Sequence, residues 1–276
     1  MTLVAQGAIV LAVVLVSLGL LWLARRSPYN ARFSGEVGEH NKAFDFLGTA
    51  FAVLLAFVVL EAYESYNDAK SGAEEEAEAV LQLSRTVEAF TPEERARLQG
   101  LLVCYGRAVV HYAWPAMENE EASPIVNDWG TRFRQGVLNL QVESLVEEAS
   151  FRQLLMEQDS RIQGRRTRLA EAVRIVPFPL WLVLLLGASL TIGWVILSAG
   201  RQGSYLVQAA VIASVAAMVT AALLLVYFLD HPFSDESGSI RPIEMEHTLE
   251  TIDHEQEGLV IRATPPCTEE GDPEEA

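Results

Sequence analysis

The chain has 276 residues, 50% of them hydrophobic, and a formal net charge of −17. A chain this acidic repels the phosphate backbone, which excludes nucleic-acid binding as its function. Four apolar stretches without charged residues flank a long acidic interlude, two on each side. They predict an integral membrane protein, since a helix of about 20 mostly apolar residues crosses the bilayer. The stretches cover residues 1–24, 46–60, 175–200 and 202–229.

The first two stretches are predicted to form a helix pair. No Lys or Arg precedes the first stretch, and Arg25 and Arg26 follow it. This is the reverse of a secretory signal peptide, so we expect the stretch to stay in the membrane. The second stretch is shorter than a full span. We therefore expect its polar flanks, such as Asp45 and Glu61, to reach the headgroups or to face protein rather than lipid.

The interlude is predicted to be a helical bundle. Residues 61–90 are rich in helix-forming side chains and are broken only weakly by Ser71-Gly72, so the second membrane helix should continue as one rod. Thr91 is predicted to cap the next helix. An apolar stripe at helical spacing over residues 142–176 leads directly to the third membrane helix. The predicted fold is an all-α integral membrane protein with four transmembrane helices in a two-plus-two arrangement and an intervening helical bundle continuous with the membrane helices.

Changes in composition divide the chain into four segments. They are a first transmembrane helix pair (residues 1–63), an extramembrane helical bundle (64–176), a second transmembrane pair (177–229) and an acidic tail (230–276). In the tail we predict a short amphipathic helix through Ile243, Leu249 and Ile252. An acidic, disordered end is expected after Thr264.

The sequence offers no pattern for a metal site, a cofactor or catalysis. Cys104 and Cys267 lack a CxxC spacing and a nearby His pattern, and we interpret them as two unpaired thiols rather than a disulfide or a zinc site. The five His residues do not fall at metal-ligand spacings. The run Glu74-Glu75-Glu76 with Glu78 reads as a solvated helix face, or as a vestibule that attracts cations if several rods surround one. Because nucleophile, metallopeptidase and phosphate-loop motifs are absent from the sequence, we expect no enzymatic activity.

One face of the second membrane helix is a candidate wall for an ion path. Small and polar residues recur there at spacings of three and four, and larger apolar residues lie on the opposite face. Copies of this face around an axis would line a path with acidic mouths at both ends. Close helix packing is the alternative for Ala52 and Ala56. The candidate pore-lining residues are Asp45, Thr49, Ala52, Ala56, Leu60, Glu61, Tyr63, Glu64 and Asp68.

Several motifs resemble those of the bacterial bestrophin-like membrane proteins. The matches extend over residues 41–245 and include the segment 51–59 and the segment 165–169. Two positions depart from the family pattern: Ala113 stands where an acid is expected, and Ser234-Asp235 stand where a glycine is usual. The residues that carry the resemblance are Asn41, Phe57, Trp114, Pro115, Arg165, Trp181, Asp230, Pro232 and Phe233.

The resemblance implies an architecture and a set of partners. Bestrophins, to which this family is distantly similar, are pentameric ion channels with paired membrane helices around a helical domain and a pore lined by the second helix. The implied partners are therefore the lipid bilayer, further copies of the chain in a homo-oligomer, a pentamer by family analogy, and ions. The implied location is the bacterial cytoplasmic (inner) membrane.

Different features of the sequence predict opposite orientations for the interlude. The short link after the first stretch carries Arg25, Arg26, Arg32 and Lys42 against Glu36 and Glu39. By the positive-inside rule this link is cytoplasmic, which puts the interlude and the tail outside. The basic residues at positions 161–174 argue the other way, and so does the family resemblance, which implies a cytoplasmic interlude.

Two functions are compatible with these patterns. The first is an oligomeric ion channel of the bestrophin-like family that prefers cations, because acids outnumber bases at the candidate mouths. The alternative is a membrane-anchored helical scaffold or sensor that conducts nothing. An apolar patch on the bundle surface would favour the scaffold.

Overall fold

The structure is a computed structural model that describes residues 3–26, 30–199, 203–257 and 261–274. Side chains are described for 4–26, 46–199, 203–257 and 261–274. The described residues form nine α-helices and no strand, apart from one isolated bridge between Cys267 and Pro273. The helices are α1 (Leu3–Arg26), α2 (Asn30–Thr86), α3 (Pro92–Ala108), α4 (Trp114–Glu118), α5 (Pro124–Leu138), α6 (Leu145–Ala170), α7 (Phe178–Ser198), α8 (Tyr205–Leu229) and α9 (Ile243–Gln256).

Four of these helices are long and apolar enough to cross a membrane. The candidate spans are Val4–Arg26, Phe46–Ala89, Phe178–Ser198 and Tyr205–Leu229. They coincide with the four predicted stretches, and the predicted all-α membrane fold is confirmed. At one end of the spans the Arg25 guanidinium donates to the carbonyl of Gly203 and to the Gln208 side chain, both at 2.6 Å. The C-terminal end of α1 and the N-terminal end of α8 therefore lie together.

Helix α2 runs for 57 residues without a break, or about 85 Å at the usual rise per residue. The predicted rod is confirmed, and Gly72 does not interrupt it. A Cβ on Gly72 would lie 2.7 Å from the amide nitrogen of Arg168 and 2.8 Å from the carbonyl oxygen of Gly164. Gly164 is equally confined, since its Cβ would lie 2.6 Å from the amide nitrogen of Glu76. The two glycines let the backbones of α2 and α6 touch.

The chain forms two compact units, and α2 contributes to both. The membrane unit comprises Met1–Ser65, Ile175–Asp230 and Glu236–Gly238. The bundle unit comprises Tyr66–Arg174, His231–Asp235 and Ser239–Ala276. Most of the acidic tail thus belongs to the same unit as the bundle.

The bundle unit has an aromatic and aliphatic core with well-defined helix starts. Trp129, Tyr105 and Phe133 are among its largest fully buried side chains. Thr91 caps α3 as predicted, since its hydroxyl accepts from the Glu94 amide and donates to the Glu94 carboxylate at 2.8 Å. Ser144 starts α6 with a capping box.

The end of the tail is ordered, contrary to the expectation of disorder. Helix α9 forms where a short helix was predicted, with Ile252 buried and Ile243 46% exposed. Residues of the segment 261–274 contact the bundle. The Trp129 indole donates to the carbonyl of Gly271 at 2.7 Å, and the Tyr112 hydroxyl donates to the Asp272 carboxylate at 2.6 Å. Gly271 has φ +94°, and a Cβ there would lie 2.6 Å from the backbone nitrogen of Ala108. Net charge suggested disorder, whereas these specific contacts fix the segment.

The two cysteines are also joined, which corrects their interpretation as unpaired thiols. Cys104 of α3 and Cys267 of the tail form a disulfide between residues 163 positions apart, and both are buried. Sequence spacing could not reveal this pair, because the fold alone brings the tail back onto α3.

The docked tail predicts an unusual tyrosine titration. The hydrogen bond to Asp272 raises the pKa of Tyr112 to about 12, above the unfolded value of about 10. A raised phenol pKa means that this bond stabilises the fold fully below pH ~10 and loses its contribution as pH rises through ~12. Spectrophotometric titration of Tyr112→Phe should therefore lack one high-pKa tyrosine, and Asp272→Asn should lower that pKa.

Asp253→Asn, an exposed change in α9, is the matched control and should leave the titration as it is. A Tyr112 that titrates near pH ~10 in the native protein would contradict the docking of the tail.

Candidate functional site

One face of α2 in the membrane unit is packed against α7 and α8. Val58 is buried with Leu184 and Val226, and Leu54 and Leu55 pack against the same cluster. The ring of Phe51, on this same face, lies directly on Gly187, where a Cβ would be 2.3 Å from it. This packing fixes which side of α2 faces the rest of its own chain.

The opposite face of α2 is not covered by the chain. Thr49, Ala52, Ala56, Leu60 and Tyr63 are all exposed, the last two with 52% of their surface accessible. Their spacings of three, four and seven residues place them along one side of the helix. The small and polar face predicted from the sequence is thus exposed as one stripe.

The stripe continues along α2 beyond the apolar span. Glu64, Asn67, Ser71, Glu74 and Glu78 follow at the same helical spacings, and all are exposed. We call the exposed set from Thr49 to Glu78 the α2 stripe. Its distal half carries acids, of which Glu74 pairs with exposed Lys70 at 3.5 Å. Of the glutamate run, Glu74 and Glu78 therefore lie on the stripe, and both are exposed.

Two predicted pore residues lie beside the stripe rather than on it. At 100° per residue, Glu61 and Asp68 are rotated by about 100° from the line through Leu60 and Asn67. Glu61 borders a groove of about 270 Å³ that is also lined by Ile175, Val176 and Leu180. Among the acids near the span whose side chains are described, Glu64 lies closer to the line of the stripe than Glu61 or Asp68 does. Asn41 and Asp45 lie outside the residues whose side chains are described.

Glu76 belongs to a buried cluster, which corrects its assignment to a solvated face. Its carboxylate accepts from Arg168 Nε at 2.7 Å, approaches Arg168 Nη2 at 2.6 Å and accepts a short hydrogen bond from the Tyr105 hydroxyl. Glu76 and Arg168 each have side chains only 1% exposed. The guanidinium also lies over the Trp114 ring, 4.9 Å from its centroid. The cluster ties α2 to α3 and α6.

Burial affects the titration of the Tyr105 phenol in this cluster. Desolvation, followed by the charge of Glu76, raises the pKa of Tyr105. The phenol is therefore a neutral donor that stabilises the Glu76 carboxylate. The sequence contained one signal for this arrangement, because Glu76 falls at helical spacing with Ala69, Gly72 and Leu83, which are also buried.

The Asp-x-Pro-Phe motif serves as a structural turn after α8. Asp230 Oδ1 accepts from the backbone amides of Ile175 and Val176, both at 2.9 Å, and so holds the chain that enters α7. The carbonyl oxygen of Pro232 accepts a hydrogen bond from the backbone amide of Ile240 at 2.8 Å. Phe233 packs edge-on against Trp114, with ring centroids 5.9 Å apart.

The other motif residues have individual roles. Trp114 donates to the carbonyl of Ile240 at 2.7 Å, and Pro115 follows it in the first turn of α4. Arg165 donates to Asn127 at 2.8 Å. Trp181 contacts Tyr227 edge-on, whereas Phe57 is 66% exposed. Among the described residues no group of three or more His, Cys, Asp or Glu is placed to hold a metal ion.

Comparison with known proteins is consistent with this geometry. The model of the Bestrophin-like domain matches residues 11–241. No curated protein matches the chain. A crystal structure of a membrane protein with a proline-to-alanine substitution is similar, with a TM-score of 0.72 and 15% identity over 91% of this chain and 99% of that chain. A bacterial bestrophin homologue from Klebsiella pneumoniae, crystallised as a point variant, has a TM-score of 0.70 and 15% identity over 91% and 99% of the two chains.

The buried cluster predicts a large stability difference between two arginines. Arg168→Ala leaves the Glu76 carboxylate buried without its cation, and should destabilise the protein by about 3–5 kcal/mol. Thermal unfolding in detergent should show an apparent Tm lower by roughly 10 °C. Arg152→Ala is the matched control, because Arg152 forms an exposed pair with Glu148, and it should change stability by less than ~0.5 kcal/mol.

The double variant Arg168→Met with Glu76→Gln should unfold closer to the native temperature than Arg168→Ala, since no buried charge is left unpaired. Equal unfolding temperatures for Arg168→Ala and Arg152→Ala would contradict the role of the cluster.

Proposed function

Because the chain belongs to the Bestrophin-like family, we propose that it is the subunit of a homo-oligomeric ion channel in the bacterial cytoplasmic membrane, with the α2 stripe lining the ion path. The observation that carries this proposal is the asymmetry of α2. One face is packed into its own chain at Val58, and the other is uncovered from Thr49 to Glu78. The family resemblance to bestrophin channels supports the same function.

An ion path along the stripe requires several copies of the chain. A single exposed helix face encloses nothing, whereas copies arranged around an axis place their stripes in a ring. Small side chains at Ala52 and Ala56 would leave room along the axis, and Leu60 would form an apolar constriction next to them. The family analogy favours five copies.

Cation selectivity follows from the charges on the stripe. Glu64, Glu74 and Glu78 repeat in every subunit, and Lys70 is the base that pairs with one of them. Rings of carboxylates concentrate cations and repel anions. Negative charge at the mouths would thus set the sign of the permeant ion.

The position of each acid relative to the stripe gives a test. In reconstituted bilayers under a salt gradient, Glu64→Gln should lower the cation-to-anion permeability ratio by roughly 2- to 10-fold, because one charge per subunit leaves the ring. Glu61 is three residues from Glu64 but lies beside the stripe, so Glu61→Gln should change the permeability ratio less than Glu64→Gln does. Reversal potentials measure both variants, with Asp45→Asn as a test of the opposite mouth.

Glu93→Gln, in the first turn of α3, is the control for net charge and should leave the reversal potential unchanged. Anion preference in the native protein would overturn the sign of the selectivity. A larger effect of Glu61→Gln than of Glu64→Gln would move the path to the neighbouring face of α2.

The scaffold alternative has an observation in its favour. Large apolar side chains are exposed on the bundle around the α5–α6 connection, among them Leu138, Val142, Leu145, Val146 and Met156. Such side chains commonly mark a surface that a partner covers. In a channel that partner would be a neighbouring copy. A well-folded oligomer that carries no current under varied salt and voltage would favour the scaffold instead.

A further inference from the structure

The disulfide between α3 and the tail indicates on which side of the membrane the bundle lies. Cys104 and Cys267 are the only two cysteines of the sequence, so no other pairing within the chain competes with this one. Cys104 is 0% exposed and Cys267 is 4% exposed. Burial of both sulfurs protects the bond from soluble reductants in the folded protein, as is typical of a structural disulfide.

The segment around Cys267 is built to present it to α3. Arg107 donates to the carbonyl of Thr268 at 3.0 Å, and the Gly271 carbonyl accepts from Trp129 at 2.7 Å. Both contacts involve residues that follow Cys267, and they hold this part of the tail against the bundle that contains Cys104. Buried disulfides of this kind are formed and kept in oxidising compartments and are rare in the reducing cytoplasm.

Charge in the short links gives an independent argument for the same side. Arg25 and Arg26 end α1, and Arg32 and Lys42 lie in the N-terminal part of α2 with Glu36 and Glu39 between them. The segment between α7 and α8 carries Arg201 and no acid. Arg25, at the end of α1, contacts Gly203, which precedes α8. Basic short links are retained in the cytoplasm.

The structure gives partners within the bundle to three of the five arginines that argued against this orientation. Arg168 is buried in its pair with Glu76, and Arg161 is 4% exposed beneath Tyr105, 4.3 Å from the ring centroid. Arg174 pairs with Glu120 at 3.0 Å. These bases hold the bundle together, and they belong to a long segment, which has little weight in the positive-inside rule.

From these two observations we infer that the bundle and the tail lie on the extracytoplasmic side, where Cys104 and Cys267 are an oxidation site for a protein dithiol oxidant. The thiolate of one cysteine attacks the disulfide of the oxidant and forms a mixed disulfide with it. The second cysteine then attacks the sulfur of the first, which closes the Cys104–Cys267 bond and releases the oxidant. The two cysteine sulfurs lose two electrons in total, and the oxidant leaves as a dithiol that has taken up both electrons and the two protons. The inference is independent of ion conduction.

This orientation is the reverse of the one implied by the resemblance to bestrophins. It places the acidic half of the α2 stripe, with Glu74 and Glu78, outside the cytoplasm. It places the basic links inside. In this orientation the acidic segments lie outside the cytoplasm and the basic links lie inside, as the positive-inside rule predicts.

Single engineered cysteines test the sidedness directly, because the native pair does not react with maleimides. Glu121→Cys reports on the bundle and Ser204→Cys on the α7–α8 link, and both positions are exposed. In spheroplasts a membrane-impermeant maleimide should label Glu121→Cys at once. It should label Ser204→Cys only after the membrane is permeabilised. The opposite pattern, or equal protection of both positions, overturns the inference.

A second measurement tests the oxidation itself on the native protein. Cells are quenched with acid, and the denatured protein is alkylated with a maleimide that carries a polyethylene glycol chain. No gel shift is expected without reductant, and a shift for two added chains is expected after reduction. Two free thiols in the unreduced sample overturn the oxidation site, whatever the channel assay shows.

Discussion

The contact between α2 and α6 at Gly72 and Gly164 is the constraint on which the bundle depends. Each glycine leaves room for the backbone of the other helix, and a methyl group on either would meet backbone atoms closer than 3 Å. One turn further along, the Glu76 carboxylate meets the Arg168 guanidinium. A carboxylate this deeply buried needs a cation and a second donor, and Tyr105 supplies the second. The ion pair therefore fixes both the register and the rotation of α2.

The rotation of α2 in the bundle determines what its exposed face carries. A helix turns by about 100° per residue, so a shift of one residue in the packing would exchange buried and exposed side chains. With Glu76 inward, Glu74 and Glu78 point away from the core and become part of the α2 stripe. The same helix places Val58 inward and Ala56 outward in the membrane unit. Core packing thus sets the electrostatic character of the candidate path.

The features that were readable from sequence are those encoded by local pattern. Membrane spans follow from the length of apolar runs, and the small face of α2 follows from helical spacing. The Thr91 cap is a local signal of the same kind. The buried position of Glu76 was not predicted, because its sequence neighbours Glu74 and Glu75 are solvated. Only its helical spacing with buried residues such as Gly72 indicated that it lies in the core. The disulfide and the ordered tail were not predicted from the sequence, because both depend on contacts between residues more than 100 positions apart. No local pattern indicates such contacts.

The docked tail also explains how the bundle distributes its few bases. Arg85 pairs with Glu255 of α9 at 2.7 Å, Arg95 donates to the carbonyl of Ile261 at 3.3 Å, and Arg107 binds the segment beside Cys267. Arginines of α2 and α3 are thus engaged by the tail, while Arg168 is engaged by the core. The tail thus engages three arginines of the bundle through specific contacts. The exposure of Glu74 and Glu78 has a different origin, because it follows from the inward position of Glu76 on the same helix.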